Sequence, residues 1–452
     1  MNSLLKADRL ETALHDKKPL YSSAEARAEA ERCLYCVDAP CIKACPTQID
    51  IPTFIKKIAS ENVRGAARTI FEQNLLGYSC ARVCPVEVLC VGDCVYNGWG
   101  RDPIQIGRLQ RYATEAATAP GQPAMFTPKP RPEAGQPGTG REGRPRRVVC
   151  VGAGPASLAF AGTLALEGVE AVVLEKRPVA GGLNTTGIAP YKLQADDSLH
   201  EVAWVESLGV TVKTGVEVGR DVSAEALLSE YDAVFLGVGL GEDTRLGVPG
   251  EDGSDVVGAT AWIEQMKLEM GRSAAASLGR VVVIGGGNTA IDVARECAQL
   301  GAPEVVMVYR RTRDEMSGYA HEMENARLEG VRLVENAVPV AVVRDESGRV
   351  TALRVARAEK GRAIPQTEHE LPCDTIALAI GQSKLRALAS EFEGVELDAR
   401  GWVRADGDTG QTGNPKVFAG GDCINGGKEV VNAVADGRNA ARTLLARFAK
   451  DA

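Results

Sequence analysis

Histidine is scarce in this sequence, and long apolar runs and a signal peptide are missing from it. Only 4 His occur among 452 residues, which leaves little room for histidine-based zinc sites or acid–base triads. No apolar run approaches the roughly 18 residues of a membrane span. The N-terminal segment, with Lys6, Asp8, Arg9 and Glu11, has no apolar core that a signal peptide would need. We therefore predict a cytoplasmic protein without membrane contact.

An excess of positive charge is also absent. Lys plus Arg is 52 and Asp plus Glu is 60, so the net charge is -8 and gives no electrostatic reason to bind nucleic acid or anionic lipid. The expected partners are proteins and small molecules.

Glycine and cysteine, by contrast, are abundant, with 49 Gly and 12 Cys. Eight of the cysteines fall between residues 33 and 94. Disulfides are rare in a reducing compartment, so we interpret this concentration as cofactor ligation.

The order of sequence patterns predicts three kinds of domain. Residues 1–119 show helical spacing, for example over Ile51 to Ile58 and Ala66 to Leu75, and residues 120–146 form a linker rich in Pro and Gly. Short β-branched runs then alternate with glycines and Ala/Leu-rich helices, which predicts an α/β fold with parallel, doubly wound sheets.

The cysteines form two groups, Cys33-x2-Cys36-x4-Cys41-x3-Cys45-Pro46 and Cys80-x3-Cys84-Pro85-x4-Cys90-x3-Cys94. Short spacers let one loop supply several thiolates to an inorganic core while a distant Cys completes the set. Two [4Fe-4S] clusters are the expected count, and a pair of structural zinc sites is the alternative. Spacing alone does not assign a thiolate to a cluster.

A dinucleotide site is predicted where the run from Val148 to Val151 enters Gly152-Ala153-Gly154-Pro155-Ala156. Glycines permit the tight turn and let backbone N–H groups approach a pyrophosphate at a helix N-terminus. A second β-branched run ends in Glu175, at the distance where a carboxylate accepts hydrogen bonds from ribose hydroxyls.

A second unit of the same kind begins with Val281 to Ile284 and continues through Gly285 to Ala290. Its following run ends at Tyr309-Arg310-Arg311, where two arginines replace the acid. A guanidinium can hold a 2'-phosphate that a carboxylate would repel, so this unit favours NADPH over NADH. The alternative is an ordinary basic end on a surface strand.

Near the C-terminus, Asp422 follows the run from Lys416 to Gly421. An Asp at this position is suited to hold the ribityl chain of a flavin. A helix is predicted to follow from about Glu429. The segments 231–239 and 375–381 are interpreted as two crossovers. We thus expect residues 147–242 and 378–452 to form one FAD-binding domain, with an NAD(P)-binding domain at 243–377 inserted between its halves.

Over its whole length the chain resembles the electron-input module shared by the glutamate synthase small subunit and the N-terminal part of dihydropyrimidine dehydrogenase, which in many bacteria is a separate, PreT-type subunit. The resemblance is carried by the cysteine groups and the glycine loops, and by the segments 38–41, 45–48, 65–67, 106–110 and 113–115. These segments and the spacer between Pro85 and Cys90 lead us to favour the pyrimidine branch.

The resemblance implies ligands for each cluster and contacts for each nucleotide. One cluster would take Cys33, Cys36, Cys41 and Cys94, and the other Cys45, Cys84, Cys90 and Gln110, with Cys80 not a ligand. Flavin contacts would come from Gly152, Ala153, Gly154, Pro155, Ala156, Glu175, Lys176, Gly182, Leu183, Lys192, Gly421 and Asp422. NADPH contacts would come from Gly286, Gly287, Asn288, Thr289, Arg310, Arg311, Ala379 and Gly381.

The resemblance also implies a division of labour. No nucleophile or acid–base pair is expected in this chain, because FAD and the clusters carry the chemistry of NAD(P)H oxidation. No FMN barrel or pyrimidine pocket is recognised, so an FMN-containing, PreA-like catalytic subunit would reduce uracil or thymine, in an expected heterotetramer. The alternatives are a glutamate synthase small subunit and a generic NAD(P)H-driven reductase of a ferredoxin-like acceptor. NADH remains possible in place of NADPH.

Overall fold

The computed structural model describes residues 5–133, 135, 139 and 143–450. In chain order its helices are α1 (Ser23–Glu31), α2 (Pro40–Lys43), α3 (Ile51–Ala59), α4 (Val63–Phe71), α5 (Gly77–Val83), α6 (Val95–Gly98), α7 (Ile106–Thr118), α8 (Pro155–Leu166), α9 (Leu183–Thr186), α10 (Ala195–Glu206), α11 (Ala224–Glu230), α12 (Ala259–Leu268), α13 (Asn288–Gln299), α14 (Ala320–Leu328), α15 (Arg386–Ser390), α16 (Asp422–Asn425) and α17 (Val430–Lys450).

The strands are β1 (Arg147–Val151), β2 (Glu170–Glu175), β3 (Thr211–Thr214), β4 (Ala233–Leu236), β5 (Val256–Gly258), β6 (Val281–Ile284), β7 (Val305–Val308), β8 (Arg332–Val334), β9 (Ala337–Arg344), β10 (Val350–Glu359), β11 (Arg362–Ala363), β12 (His369–Pro372), β13 (Thr375–Leu378) and β14 (Val417–Ala419). They belong to two compact units of the chain. The larger unit holds residues 18–184, 196–240 and 384–452, and the smaller unit holds residues 1–17, 185–195 and 241–383.

A parallel sheet organises the larger unit, with strand order β14-β4-β1-β2-β3. β1 lies at its centre between β2 and β4, with Val149 level with Val172 on one side and Val234 on the other. This order is that of a dinucleotide-binding half, in which the nucleotide lies at the carboxyl ends of the strands where the order reverses. The predicted doubly wound α/β fold is confirmed in this unit.

The helices of the N-terminal region share one core with this sheet. In α3 the apolar residues Ile51, Phe54, Ile55 and Ile58 are buried at helical spacing, and Asp50 caps the helix by accepting a hydrogen bond from the Thr53 N–H at 3.2 Å. The core continues without a break into α8 and α17. The predicted helix over residues 66–75 is α4, which ends earlier, at Phe71, and a turn that contains Asn74 follows it.

Two sheets organise the smaller unit. The first is parallel, with strand order β5-β13-β6-β7-β8, as the strand and glycine pattern predicts. The second is antiparallel and joins β10 to β9, β11 and β12. Most of β10 is buried, and its pairing with β9 shifts register twice, between Val350 and Ala352 and between Arg354 and Val355.

Close approach of backbone to backbone holds α8 against α17 in the larger unit. A Cβ on Gly437 of α17 would lie 2.0 Å from the Ala156 carbonyl oxygen and 3.1 Å from the Phe160 nitrogen, both in α8. Because these neighbours are backbone atoms, a methyl group there must push the two helices apart.

Replacement of Gly437 by alanine therefore tests the packing. Gly437→Ala is expected to lower the free energy of unfolding of the larger unit by about 1–3 kcal/mol, the usual cost of overpacking. Gly407→Ala is the matched control, since nothing lies within 4 Å of its added Cβ. Urea unfolding measures both variants, and equal midpoints would contradict the packing described here.

Candidate functional site

Four cysteines from different parts of the N-terminal region line one pocket. Cys33, Cys36, Cys41 and Cys94 surround a space of about 380 Å³, part of which is open solvent, together with apolar side chains such as Ile51 and Ile55. These are the four residues that the resemblance assigns to one cluster. The fold thus brings a distant thiol to the three that a single loop supplies.

Electrostatics in this pocket favour a positively charged occupant. Burial, together with the neighbouring sulfurs of Cys33, Cys94 and Cys36, raises the pKa of the Cys41 thiol to about 12. Burial is also the main cause of the raised pKa of Cys33, with Cys36 and Cys94 adding to it. Thiolates crowded in this way are stable only when metal ions neutralise them. The donor set therefore fits an iron–sulfur cluster.

The second cysteine set is more deeply enclosed. Burial raises the pKa of Cys90 well above its usual value, and the charges of Cys84, Cys45 and Cys41 add to the shift. A hydrogen bond with Cys80 and burial raise the pKa of Cys84 above its usual value. The three predicted ligands Cys45, Cys84 and Cys90 thus lie within electrostatic reach of one another.

Gln110, the predicted fourth ligand of this set, is 8% exposed and lies in α7. Its amide nitrogen donates to the Gly77 carbonyl at 2.8 Å, which fixes the amide and leaves the side-chain oxygen as the atom able to bind iron.

The spacing of these donors differs from that of a single-ion site. In the described part of the chain no group of three Cys, His, Asp or Glu side chains converges on one metal ion. A zinc ion needs four donors within about 2.3 Å of one centre, whereas a cluster interposes iron and sulfide between its ligands. All twelve cysteines are free thiols. Cys150, Cys297, Cys373 and Cys423 are buried in the apolar cores of the two units.

The first glycine loop forms a cradle at the carboxyl end of β1. Gly152 has φ +87°, and a Cβ there would lie 2.7 Å from the Gly237 carbonyl oxygen. Gly154 then caps α8, which begins with Pro155. The helix N-terminus presents free N–H groups with the positive end of its dipole, as a pyrophosphate requires.

Glu175 is built into the same cradle. Its carboxylate accepts the Ala153 N–H and the Arg177 N–H, each at 2.8 Å. Each oxygen keeps a second lone pair, so a ribose hydroxyl can donate to it. Gly182 closes the cradle from the other side, since a Cβ there would lie 2.8 Å from the Gly154 Cα.

Asp422 begins α16 beyond the end of β14. Burial raises its pKa, and the charges of Asp436 and Glu429 raise it further, while the Lys428 N–H lowers it. Asp436 accepts the Gly421 N–H at 2.9 Å and so fixes the loop that carries Asp422. Glu175, Gly182, Gly421 and Asp422 all surround the carboxyl end of one sheet, and their contacts with a flavin remain a prediction.

The second glycine loop, in the smaller unit, is closed by neighbours that leave no room for side chains. A Cβ on Gly285 would lie 2.3 Å from the Ala379 carbonyl oxygen, and one on Gly286 would lie 2.4 Å from the ring of Tyr309. Gly287 caps α13, which continues through Asn288 and Thr289. Gly381 follows β13 with φ +106°, so this segment and the loop meet at one sheet edge.

Arg310 and Arg311 follow β7, next to this loop. Arg310 is exposed and Arg311 is half-buried. Within the described residues neither guanidinium has a hydrogen bond or ion pair to another side chain. Both are therefore available to an anionic ligand.

The sequence did not predict that the segment after Arg311 contacts this loop. The Gly318 N–H donates to the Gly286 carbonyl at 2.9 Å, and the Tyr319 N–H donates to the Asn288 side chain at 2.9 Å. The segment after Arg311 thus folds back over the glycines. Asn288 uses its side-chain oxygen for this contact, a role that its place in the motif did not reveal.

Three further residues are predicted to contact the flavin, namely Lys192, Lys176 and Leu183. Lys192 belongs to the smaller unit, where it donates to Asp292 at 2.8 Å and pairs with Glu322 at 2.9 Å. Lys176 is exposed directly after β2. Leu183 begins α9 next to Gly182.

Comparison with known protein families gives two matches. Residues 10–122 match the model described as dihydropyrimidine dehydrogenase domain II, 4Fe-4S cluster. Residues 146–437 match the pyridine nucleotide-disulphide oxidoreductase model.

Curated relatives cover nearly the whole chain. The glutamate synthase [NADPH] small chain of Halomonas elongata is 37% identical over 445 residues, which cover 94% of this chain and 91% of that protein. The NAD-dependent dihydropyrimidine dehydrogenase subunit PreT of Escherichia coli is 36% identical over 431 residues, which cover 95% and 96%.

Among solved structures, thioredoxin reductase of T. acidophilum superposes with a TM-score of 0.53 at 22% identity, covering 67% of this chain and 99% of that one. This likeness shows the fold of the two nucleotide-binding parts. Among the residues described, no helix combines the length and the hydrophobicity that crossing a bilayer demands.

Substitution of a predicted ligand tests the cysteine assignment. The parent protein should contain about eight irons, and Cys36→Ser should lose about half of them and keep its flavin, because the flavin cradle lies in a different part of the larger unit. Cys80→Ser, the matched control, should keep full iron. Iron, zinc and flavin are measured after anaerobic reconstitution. Abundant zinc with fewer than about five irons, or flavin loss with unchanged iron, contradicts the assignment.

Proposed function

Because the chain belongs to the family of flavin and iron–sulfur oxidoreductases that includes glutamate synthase small chains and PreT subunits, we propose that it is the electron-input subunit of a dihydropyrimidine dehydrogenase. Membership of the family establishes the coarser function. The chain is an NAD(P)H-dependent oxidoreductase that uses FAD and iron–sulfur clusters for electron transfer.

The observation that carries the pyrimidine assignment is the match of residues 10–122 to the dihydropyrimidine dehydrogenase iron–sulfur model. The similarity to PreT over 96% of that protein supports it. Overall identity does not separate the candidates, since 37% and 36% are equivalent. The glutamate synthase small subunit is therefore the second candidate, favoured by relatives of the same coverage.

The residues divide the work as follows. FAD supplies the exchange between a hydride and single electrons, and the clusters supply one-electron transfer. The Gly152–Ala156 loop, Glu175 and Asp422 hold the flavin, while the Gly285–Thr289 loop holds the nicotinamide nucleotide. The eight predicted ligands hold two clusters. We assign the 2'-phosphate of NADPH to Arg310 and Arg311.

Reduction of uracil or thymine then requires a second protein. We propose an FMN-containing catalytic subunit as the partner, a heterotetramer as the assembly and the cytoplasm as the location. The PreT relatives, which are named as subunits of a dehydrogenase, support a catalytic partner of this kind.

Charge removal at the nucleotide loop tests the NADPH assignment. Each charge-assisted hydrogen bond contributes about 1.5–3 kcal/mol, so Arg310→Ala with Arg311→Ala should weaken NADPH about 10²- to 10⁴-fold. Solvent around Arg310 favours the lower end of that range. NADH should bind almost unchanged. Flavin reduction by each nucleotide under anaerobic conditions gives both affinities.

Arg313→Ala is the matched control for this pair, because its guanidinium is already directed to Glu324 at 3.3 Å. It should leave both affinities within about twofold. A parent that prefers NADH, or an equal loss for both nucleotides in the double variant, contradicts the assignment.

Reconstitution with candidate partners tests the proposed reaction. The isolated chain should oxidise NAD(P)H with ferricyanide and should not do so with uracil, because a pyrimidine needs its own pocket and flavin. Addition of the FMN-containing partner from the same host should give uracil-dependent NAD(P)H oxidation. Turnover with uracil by the chain alone contradicts the proposal. Glutamine-dependent glutamate formation by the natural pair would transfer the function to the second candidate.

A further inference from the structure

Arg438, in the middle of α17, reaches from the FAD-binding half of the larger unit into the cysteine loops. Its guanidinium donates to the Thr47 carbonyl at 2.6 Å and to the Gln73 carbonyl at 2.8 Å. Thr47 is two residues beyond Cys45, and its hydroxyl lies 3.4 Å from the Cys45 sulfur. Arg438 itself is only 8% exposed.

This buried cation has no carboxylate partner among the residues that the structure describes. Its remaining hydrogen bonds go to the Asn439 side chain at 3.1 and 3.3 Å and to the Gln73 side chain at 3.3 Å, all neutral acceptors. Burial and the neighbouring Arg442 lower its pKa to about 10, while the sulfur of Cys45 acts in the opposite direction. Arg438 remains charged at neutral pH.

A buried charge without a counter-charge is costly, so the site needs an anion. Among the described residues, Cys45 is the group that favours the charged form of Arg438, and its sulfur lies 3.4 Å from the hydroxyl of Thr47, whose carbonyl accepts from the guanidinium. At Cys84, in the same predicted ligand set, Lys18 lowers the pKa of the thiol and Glu429 raises it, and the Lys18 ammonium donates to the Cys84 carbonyl at 3.0 Å. Within the described residues, no carboxylate balances the charge of Arg438.

We propose that the cluster held by Cys45 is the counter-charge of Arg438, and that the guanidinium raises the reduction potential of that cluster. The proposal rests on the proposed assignment of Cys45, Cys84 and Cys90 as ligands. Reduction adds one electron from NAD(P)H through FAD, changes no bond and leaves the cluster one charge more negative. A nearby cation stabilises the reduced form more than the oxidised form.

The helix α17 links the flavin loop to the cluster that would receive its electrons. α17 begins at Val430, just beyond the Asp422 loop, and Arg438 follows about 12 Å further along the helix axis at 1.5 Å per residue. One helix thus carries both the support for the flavin loop, through Asp436, and the charge that makes the neighbouring cluster a better electron acceptor. Arg438 acts as a positioning and charge-compensating residue, not as a catalytic one.

The test is a redox titration of the loaded protein, followed by electron paramagnetic resonance with low-potential mediators. The signal of interest is the one that disappears in Cys84→Ser. At a fixed potential, Arg438→Gln should lower the ratio of reduced to oxidised cluster at least about tenfold, which corresponds to about 59 mV for one electron. The other cluster should keep its parental ratio.

Two matched variants separate charge from structure. Arg438→Lys keeps the charge and should keep the parental ratio within about threefold. Arg442→Gln removes a charge one turn further along α17, where the side chain is exposed, so solvent should hold its effect below about threefold.

Each outcome decides between the proposal and its alternatives. If Arg438→Gln loses iron while Arg438→Lys keeps the iron and the parental ratio, the requirement for charge is supported. An unchanged ratio in Arg438→Gln, an equal shift in Arg442→Gln, or loss of iron in both Arg438 variants overturns the proposal. Full iron in Cys84→Ser would instead overturn the ligand assignment on which it rests.

Discussion

Burial of sulfur ligands is the constraint on which the rest of the structure depends. The thiols of Cys41 and Cys90 lie among other cysteines, and burial raises their pKa far above its usual value. Deprotonation at such sites requires metal ions. The helices α1 to α7 therefore form an enclosure that is complete only with clusters, and the guanidinium of Arg438 extends the same balance of charge into the FAD-binding half.

Close backbone contacts join that enclosure to the flavin cradle. Gly437 lets α17 lie against α8, and Asp436, next to it, holds the Gly421 N–H of the loop before Asp422. Because α8 begins at the glycine loop after β1, these contacts fix the two ends of the cradle relative to each other. The apolar core that fills this region also includes the cysteine helices. The flavin site and the cysteine loops are thus parts of one packed unit.

Local patterns in the sequence predicted most of this architecture. The strands β1, β2, β4, β6, β7, β13 and β14 lie where short apolar runs occur, because a parallel strand buried on both faces needs such residues. Cys33, Cys36, Cys41 and Cys94 meet as the family resemblance implies. The individual flavin and nucleotide contacts remain predictions.

Features that depend on distant parts of the chain were not visible in the sequence. No glycine motif in the sequence predicts the antiparallel sheet of β9 to β12. The inclusion of residues 185–195 in the smaller unit arises from packing, as does the pairing of Lys192 with Asp292 and Glu322. Arg438 lies more than 300 residues from Gln73, so no local pattern links them.

Loss of one cluster tests most directly whether electrons flow from the flavin through the clusters to a partner. Cys90→Ser, assembled with the proposed FMN-containing partner, is compared with the parent and with Cys80→Ser. Flavin reduction by NAD(P)H and uracil-dependent turnover are measured on the same samples. Cys90→Ser should keep flavin reduction and lose uracil-dependent turnover, whereas the parent and Cys80→Ser should keep both. Full turnover in Cys90→Ser, with its cluster shown to be absent, would contradict this route of electron flow.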